Sequence, residues 1–274
     1  MAWFKRSSQF RSRFRLLTLL LVVTFTVGLV INLPAQVQAQ LRPSSLTSRL
    51  SDQIPGQWGF RAPRGPGAPA PVNTASGGTR GGGCKPGEKP PVSLVPFTSV
   101  NGAMLKKGTT IADYPTFFWH MPATSASAAE FVLSDTKGDD IYRAQYALAQ
   151  SGQAGLGTPG IMSITLPAYA NLSPLNVGEE YYWTLALVCN PIDRSGDVRA
   201  EGWIERVQPD PSLVNRLQQA TAQERVGLYA SAQLWHETLT TLNELRRDSP
   251  DSADFAAAWD KLLSSAGLDI IAQK

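Results

Sequence analysis

The chain has 274 residues, of which 25 are Lys or Arg and 22 are Asp or Glu, for a formal net charge of +3. Residues 1–39 hold five of the basic residues and none of the acidic ones, so 20 basic residues face 22 acidic ones over the remainder. That near-neutral balance excludes a polybasic nucleic-acid binder, because the surplus positive charge belongs to the first 39 residues alone.

Those residues read as an export signal. Lys5, Arg6, Arg11, Arg13 and Arg15 precede an apolar stretch from Leu16 to Ile31, and Val37-Gln38-Ala39 supplies the small residues a signal peptidase needs. The spacing predicts a signal peptide over 1–39 with cleavage after Ala39. The stretch is long for a signal peptide and short for a membrane span, so an uncleaved anchor stands beside cleavage as the alternative. Membrane contact is expected through this segment only. Either reading places the rest outside the cytoplasm, periplasmic or secreted. The first cysteine is Cys84, too far along to suggest a lipid anchor.

Residues 40–83 carry Arg42, Arg49, Arg61, Arg64 and Arg80 against the single acid Asp52. Runs such as Pro63-Arg64-Gly65-Pro66-Gly67 and Gly81-Gly82-Gly83 have no apolar periodicity to pack. A segment of that kind cannot bury enough surface to offset its ordering entropy. The expectation is a disordered Pro/Gly-rich basic linker over 40–83 that cutting near Gly83 would remove without harm.

From Cys84 as far as Pro209-Asp210-Pro211 the pattern is that of strands. Short β-rich runs cover 115–121, 130–134, 141–148, 160–166, 181–189 and 199–207, with a weaker seventh near 92–100 or 109–111. In the fifth run Tyr181, Trp183, Leu185, Leu187 and Cys189 share one face and Tyr182, Thr184, Ala186 and Val188 the other, which predicts a central strand buried on both sides. Asp135-Thr136-Lys137-Gly138-Asp139 reads as a hairpin turn. Six or seven such strands without intervening helices predict an antiparallel β-sandwich over 84–209.

From 210 to 274 apolar residues recur at helical spacing: Leu213 with Leu217, Val226 with Tyr229, Leu239 with Leu242 and Leu245, and Phe255 with Trp259 and Leu262. Three or four amphipathic helices are predicted. Tyr229, Thr238, Leu242 and Pro250 resemble the Tyr, Ala, Phe and Pro positions of a tetratricopeptide unit, although its Trp, Leu and Gly positions are not matched. A single such unit cannot cover its own apolar face, so the helices are expected to pack on the sandwich or on a partner.

The fragment from Leu175 to Trp183 is similar to the turn, Tyr, Trp approach to a strand in fibronectin type III-like modules. The immunoglobulin alternative is weaker, because the corner Tyr of antibody domains stands two residues before a Cys and Tyr181 stands eight before Cys189. Taken together, Cys84, Tyr114-Pro115-Thr116-Phe117-Phe118-Trp119, Ala129-Glu130-Phe131-Val132-Leu133, Thr158-Pro159-Gly160-Ile161, Cys189-Asn190-Pro191-Ile192-Asp193-Arg194-Ser195, Glu201-Gly202-Trp203-Ile204 and Leu228-Tyr229-Ala230 resemble the exported, largely cyanobacterial family catalogued as domain of unknown function 928. The resemblance runs from about Arg80 to the C-terminus. It implies export and an envelope setting, and it brings no active site.

Few residues suggest chemistry. His120 and His236 have no second ligand at metal spacing, and there is no Gly-x-Ser-x-Gly elbow, so no catalytic, cofactor or metal site is expected. Asp135, Asp139 and Asp140 lack the ligand ladder of a calcium loop and read as a turn. The charges of Asp193-Arg194-Ser195-Gly196-Asp197 are expected to pair across a tight loop. Cys84 and Cys189 are the two cysteines, and in an oxidising compartment they are expected to form a disulfide. The functional expectation is a non-enzymatic envelope protein that binds a protein or surface polymer, with oligomeric state left open. The alternative is a hydrolase acting on envelope glycan or peptide through acidic pairs such as Asp139 with Asp140 or Glu179 with Glu180. Neighbouring carboxylates on a strand point to opposite faces, which weighs against it.

Overall fold

A computed structural model describes residues 48–58, 84–100, 103–148, 159–169 and 171–269. The export signal and most of the predicted linker lie outside these residues. The chain is mainly β, with two sheets followed by four helices.

The strands are β1 (Val92–Ser93), β2 (Phe97–Val100), β3 (Ala103–Thr110), β4 (Thr116–Met121), β5 (Ala128–Asp135), β6 (Asp140–Ala147), β7 (Gly160–Thr165), β8 (Glu180–Val188) and β9 (Val198–Arg206). One sheet has the order β1-β4-β7 and the other β2-β3-β9-β8-β5-β6. The weak seventh run thus resolves into three strands. The expectation of uniformly antiparallel pairing needs a correction: β3 runs parallel to β9, with Lys107 opposite Trp203 and Thr110 opposite Arg206. A parallel neighbour needs a long crossover, and here the intervening strands of both sheets provide it.

β8 lies between β9 and β5, as its two-sided apolar pattern requires. Trp183, Leu185 and Leu187 on one face join Phe131 and Leu133 of β5 and Phe117, Trp119 and Met121 of β4 in one buried cluster, so both sheets contribute to it. Phe117 and Phe131 ring centroids are 5.0 Å apart, and Trp183 lies 5.5 Å from Phe117. Gly202 makes room for the indole, since a β-carbon there would fall 3.1 Å from Trp183 Nε1. The hydroxyl of Tyr181 accepts from Asn176 N–H at 2.8 Å, tying the start of β8 back to the turn before it.

The helices are α1 (Pro211–Gln219), α2 (Ala222–Ser231), α3 (Trp235–Asp248) and α4 (Ala253–Ser265). α1 starts where the pattern changes, with Asp210 accepting from Ser212 N–H and Pro211 in the first turn, where a missing N–H costs nothing. Thr221 and Glu224 close a capping box on α2. Phe118, which alternates away from Phe117 and Trp119, turns to the second cluster with Trp235, Leu239, Leu242, Trp259 and Leu262. The helices therefore pack on the outer face of the three-stranded sheet, and Trp235 Nε1 donates to Leu94 carbonyl at 2.8 Å.

The linker expectation is corrected over its described part. Residues 50–53 form a short 3-10 turn, and Leu50, Ile54 and Trp58 are buried in the helical cluster. Only residues 50–53 are helical, so the three side chains follow no single period that the sequence could show. Leu50 N–H is held by the Asp254 carboxylate at 3.2 Å, Trp58 Nε1 donates to Ser265 Oγ at 2.8 Å, and Trp58 meets Trp235 edge to face at 4.9 Å.

Candidate functional site

Cys84 is bonded to Cys189, one residue beyond β8, so the segment that follows Cys84 is fastened to the end of an interior strand. That segment, residues 85–90, forms one wall of a groove of about 1070 Å³. Its floor is the outer face of the three-stranded sheet, where the register sets Val92, His120 and Ile161 in a row. The opposite wall is Arg246 of α3 with Trp259 and Asp260 of α4. The Arg246 guanidinium lies 4.4 Å over the Trp259 ring. Burial holds Arg246 below its ordinary value, and the Asp260 carboxylate works against that.

Ile161 and Arg246 also line a second hollow of about 490 Å³, reached along β7 by Met162 and Ser163 and roofed by Asn243 and Arg247. The two hollows adjoin at Ile161 and Arg246. The lining of the larger hollow is mostly apolar, with Pro86, Pro90, Pro122 and Pro159 among it.

The residues singled out in the sequence fall mostly elsewhere. His120 does line the groove, while His236, expected in an ordinary structural role, is 3 % exposed and gives its Nδ1–H to Thr116 carbonyl at 2.9 Å. Burial lowers its pKa to about 4, with the Thr116 carbonyl opposing. Asp135 accepts from Lys137 and Asp139 N–H groups, and Asp140 from Ser134 and Arg143, so the acidic run is a hairpin turn with Gly138 at φ +90°. In the 193–197 loop, Asp193 caps Ser195 N–H and Arg194 pairs with Asp197 and with Glu130 of β5. Among the described residues no group of three His, Cys, Asp or Glu could hold a metal ion.

Glu179 is exposed, whereas Glu180 turns inward to Lys107 of β3. Lys107 Nζ lies 2.6 Å from Glu180 and 2.8 Å from Glu205, with side chains 1 %, 7 % and 15 % exposed. The charge pattern alone does not reveal this cluster, because the parallel register of β3 on β9 assembles it. At the nearby seam between β3 and α3, the Glu237 carboxylate accepts from Thr110 Oγ1 at 2.5 Å and from Ile111 and Ala112 N–H. Burial raises the Glu237 pKa against those hydrogen bonds. Arg246, Arg247, Trp259 and Asp260 carry no signal of a site in the sequence, since the strand they face lies far away along the chain.

A family model described as Domain of Unknown Function (DUF928) matches residues 75–274. The chain belongs to that family. The matched span holds both cysteines, both sheets, all four helices and every residue that lines the groove, and it leaves out the buried segment 48–58. A comparison with curated proteins found no match. Among solved structures, the fn3 domain of human collagen alpha-1(XX) chain is 15 % identical, with 49 % of this chain and 94 % of that one covered and a TM-score of 0.25. Astrotactin-2, a conserved vertebrate-specific and perforin-like membrane protein involved in neuronal development, is 14 % identical, with 60 % of this chain and 34 % of that one covered and a TM-score of 0.23. Both likenesses are weak.

Proposed function

We propose that this chain is an exported envelope protein that binds another protein or a surface polymer in the groove between its three-stranded sheet and its last two helices. In this reading the two sheets are a fibronectin-like β-sandwich, and α2 with α3 is a tetratricopeptide-like pair braced against it. The observation that carries the proposal is the groove itself, about 1070 Å³ over a floor of Val92, His120 and Ile161, walled by a disulfide-fastened segment and by the stacked pair Arg246 and Trp259. Export rests on the basic and apolar head of the sequence. The disulfide, and the absence among the described residues of any helix long and apolar enough to cross a membrane, are compatible with a place outside the cytoplasm.

The hydrolase alternative gains little support. Asp139 and Asp140 sit in a hairpin, and Glu180 is bound to Lys107. The groove's own carboxylates, Glu88 and Asp260, come from different walls.

A photo-reactive amino acid at His120, compared with one at Lys137 in the distant hairpin, tests the proposal in intact cells. Crosslinks to an envelope component at 120 and none at 137 are expected. Equal labelling at both positions rejects the groove as the binding surface. Hydrolysis of envelope glycan or peptide that disappears in Glu88→Gln or Asp260→Asn would establish the enzyme instead.

A further inference from the structure

We infer that the hollow beside β7, which shares Ile161 and Arg246 with the groove, takes an extended acidic peptide that adds as a fourth strand along β7. This deepens the binding proposal above and rests on it.

Among the described residues β7 pairs only with β4, so it is an edge of its sheet. Exposed edges are normally blunted by charge, proline, short length or a cover, because a row of unpaired N–H and C=O groups templates pairing with another chain. The other edges show such devices. β1 has two residues, β6 carries Asp140 and Arg143, and Phe97 at the start of β2 gives its N–H to Ala266 carbonyl beyond α4. Within β7 itself no charge and no proline blunts the edge: Gly160-Ile161-Met162-Ser163-Ile164-Thr165 is six residues long, and among the described residues no strand pairs with its free side. It can template about 20 Å of added strand.

Charge chooses the occupant. The hollow beside β7 is lined by Arg246 and Arg247 and by no carboxylate. Arg246 is already stacked on Trp259, while Arg247 is exposed at the rim. Backbone pairing to β7 would supply affinity, and Asp or Glu side chains turned to the arginines would supply selectivity. A second copy of the chain fits less well, because β7 on β7 would bring two pairs of arginines together.

A phage library of random ten-residue peptides, panned on the full chain exported so that its disulfide forms, tests the inference. Recovered peptides should be rich in Asp and Glu among β-branched residues. Binding should slow amide exchange over 160–165, fail when alternate peptide nitrogens are methylated, and weaken about tenfold in Arg247→Glu, the loss of one close charge pair. Ser163→Trp, on an exposed position, should block the same peptides, and Lys137→Glu should not. Peptides that weaken with Ser163→Trp but leave 160–165 exchange unchanged would overturn strand addition and leave the groove reading standing. Peptides indifferent to both Ser163→Trp and Arg247→Glu would overturn both. Recovery of no peptide, of peptides without acidic enrichment, or Arg247-dependent binding of polygalacturonate with no peptide binding, each overturns the acidic-peptide inference.

Discussion

Gln53 occupies the space that Gly227 leaves open. A β-carbon built on Gly227 of α2 would lie 1.9 Å from Gln53 Oε1 and 3.3 Å from Gln53 Cβ. The Gln53 amide can swing away, but its Cβ is fixed by a backbone held between Leu50 and Ile54, both buried in the helical cluster. Gly227→Ala is therefore expected to destabilise the intact chain by about 1 kcal/mol or more through overpacking. In a chain lacking 48–58 the same substitution should stabilise, because only the helix preference of Ala over Gly is left, worth up to about 1 kcal/mol. Urea melts of the four proteins check this inversion of sign.

Residues 84–274 alone should be less stable than 48–274, reversing the expectation drawn from composition. Losing Leu50, Ile54 and Trp58 uncovers the helical cluster, at roughly 1.5–3 kcal/mol for each large apolar side chain as an upper bound. A melting temperature unchanged within about a degree would show that the segment contributes nothing.

Thiol counting on the denatured, exported chain should find none before reduction and two after. The bridge closes a loop with a sequence separation of 105, which in the chain-entropy model stabilises by about 4–5 kcal/mol. Cys84→Ser, Cys189→Ser and the double variant should lower the melting temperature equally, since each removes the same bond. Unequal losses would mean that one cysteine acts apart from the bridge.

His236 makes stability depend on acidity. Its folded value of about 4 lies below the 6.5 of an unperturbed imidazole, so the unfolded chain binds the extra proton between those values. Its contribution is complete above about pH 6.5 and falls as the pH drops toward 4, by up to about 3 kcal/mol. Glu237 acts the opposite way: its raised value favours the fold at low pH and loses that contribution as the pH rises through the folded value. Melts from about pH 4 to 8 of the intact chain and of His236→Asn should show the acid arm shallower in the variant. An unchanged acid arm would remove His236 from the account.

Lys107→Met should cost about 3–5 kcal/mol, because it strands Glu180 and Glu205 opposite each other without their shared cation. Adding Glu180→Gln and Glu205→Gln should restore a large part of the loss. Chemical denaturation of the single and triple variants checks it, and no recovery in the triple would point to lost packing of the lysine stem.

Strands and helices were legible because their apolar periods are local. β8 shows both faces in nine residues, Asp210-Pro211 announces α1, and Asp135 to Asp139 announces a hairpin. The anchoring of Leu50, Ile54 and Trp58 was hidden because a four-residue turn followed by irregular chain has no period to detect. The groove was illegible for another reason. Ile161 and Arg246 each obey the pattern of their own element and come to line the same hollows only when α3 packs against the sheets.

The sequence by itself determined the approximate places of six strands and the helices, which cysteines were available to pair and which family the chain resembles, since these depend on neighbouring residues and on composition. Only the tertiary structure decided that β3 would run parallel to β9, that Lys107 would meet two glutamates, that 48–58 would cover the helices, and that β7 would be left as an uncharged edge beside two arginines. Those outcomes depend on contacts between residues tens to hundreds of positions apart, and no local pattern encodes which of the competing long-range pairings buries the most apolar surface while still satisfying the buried polar groups.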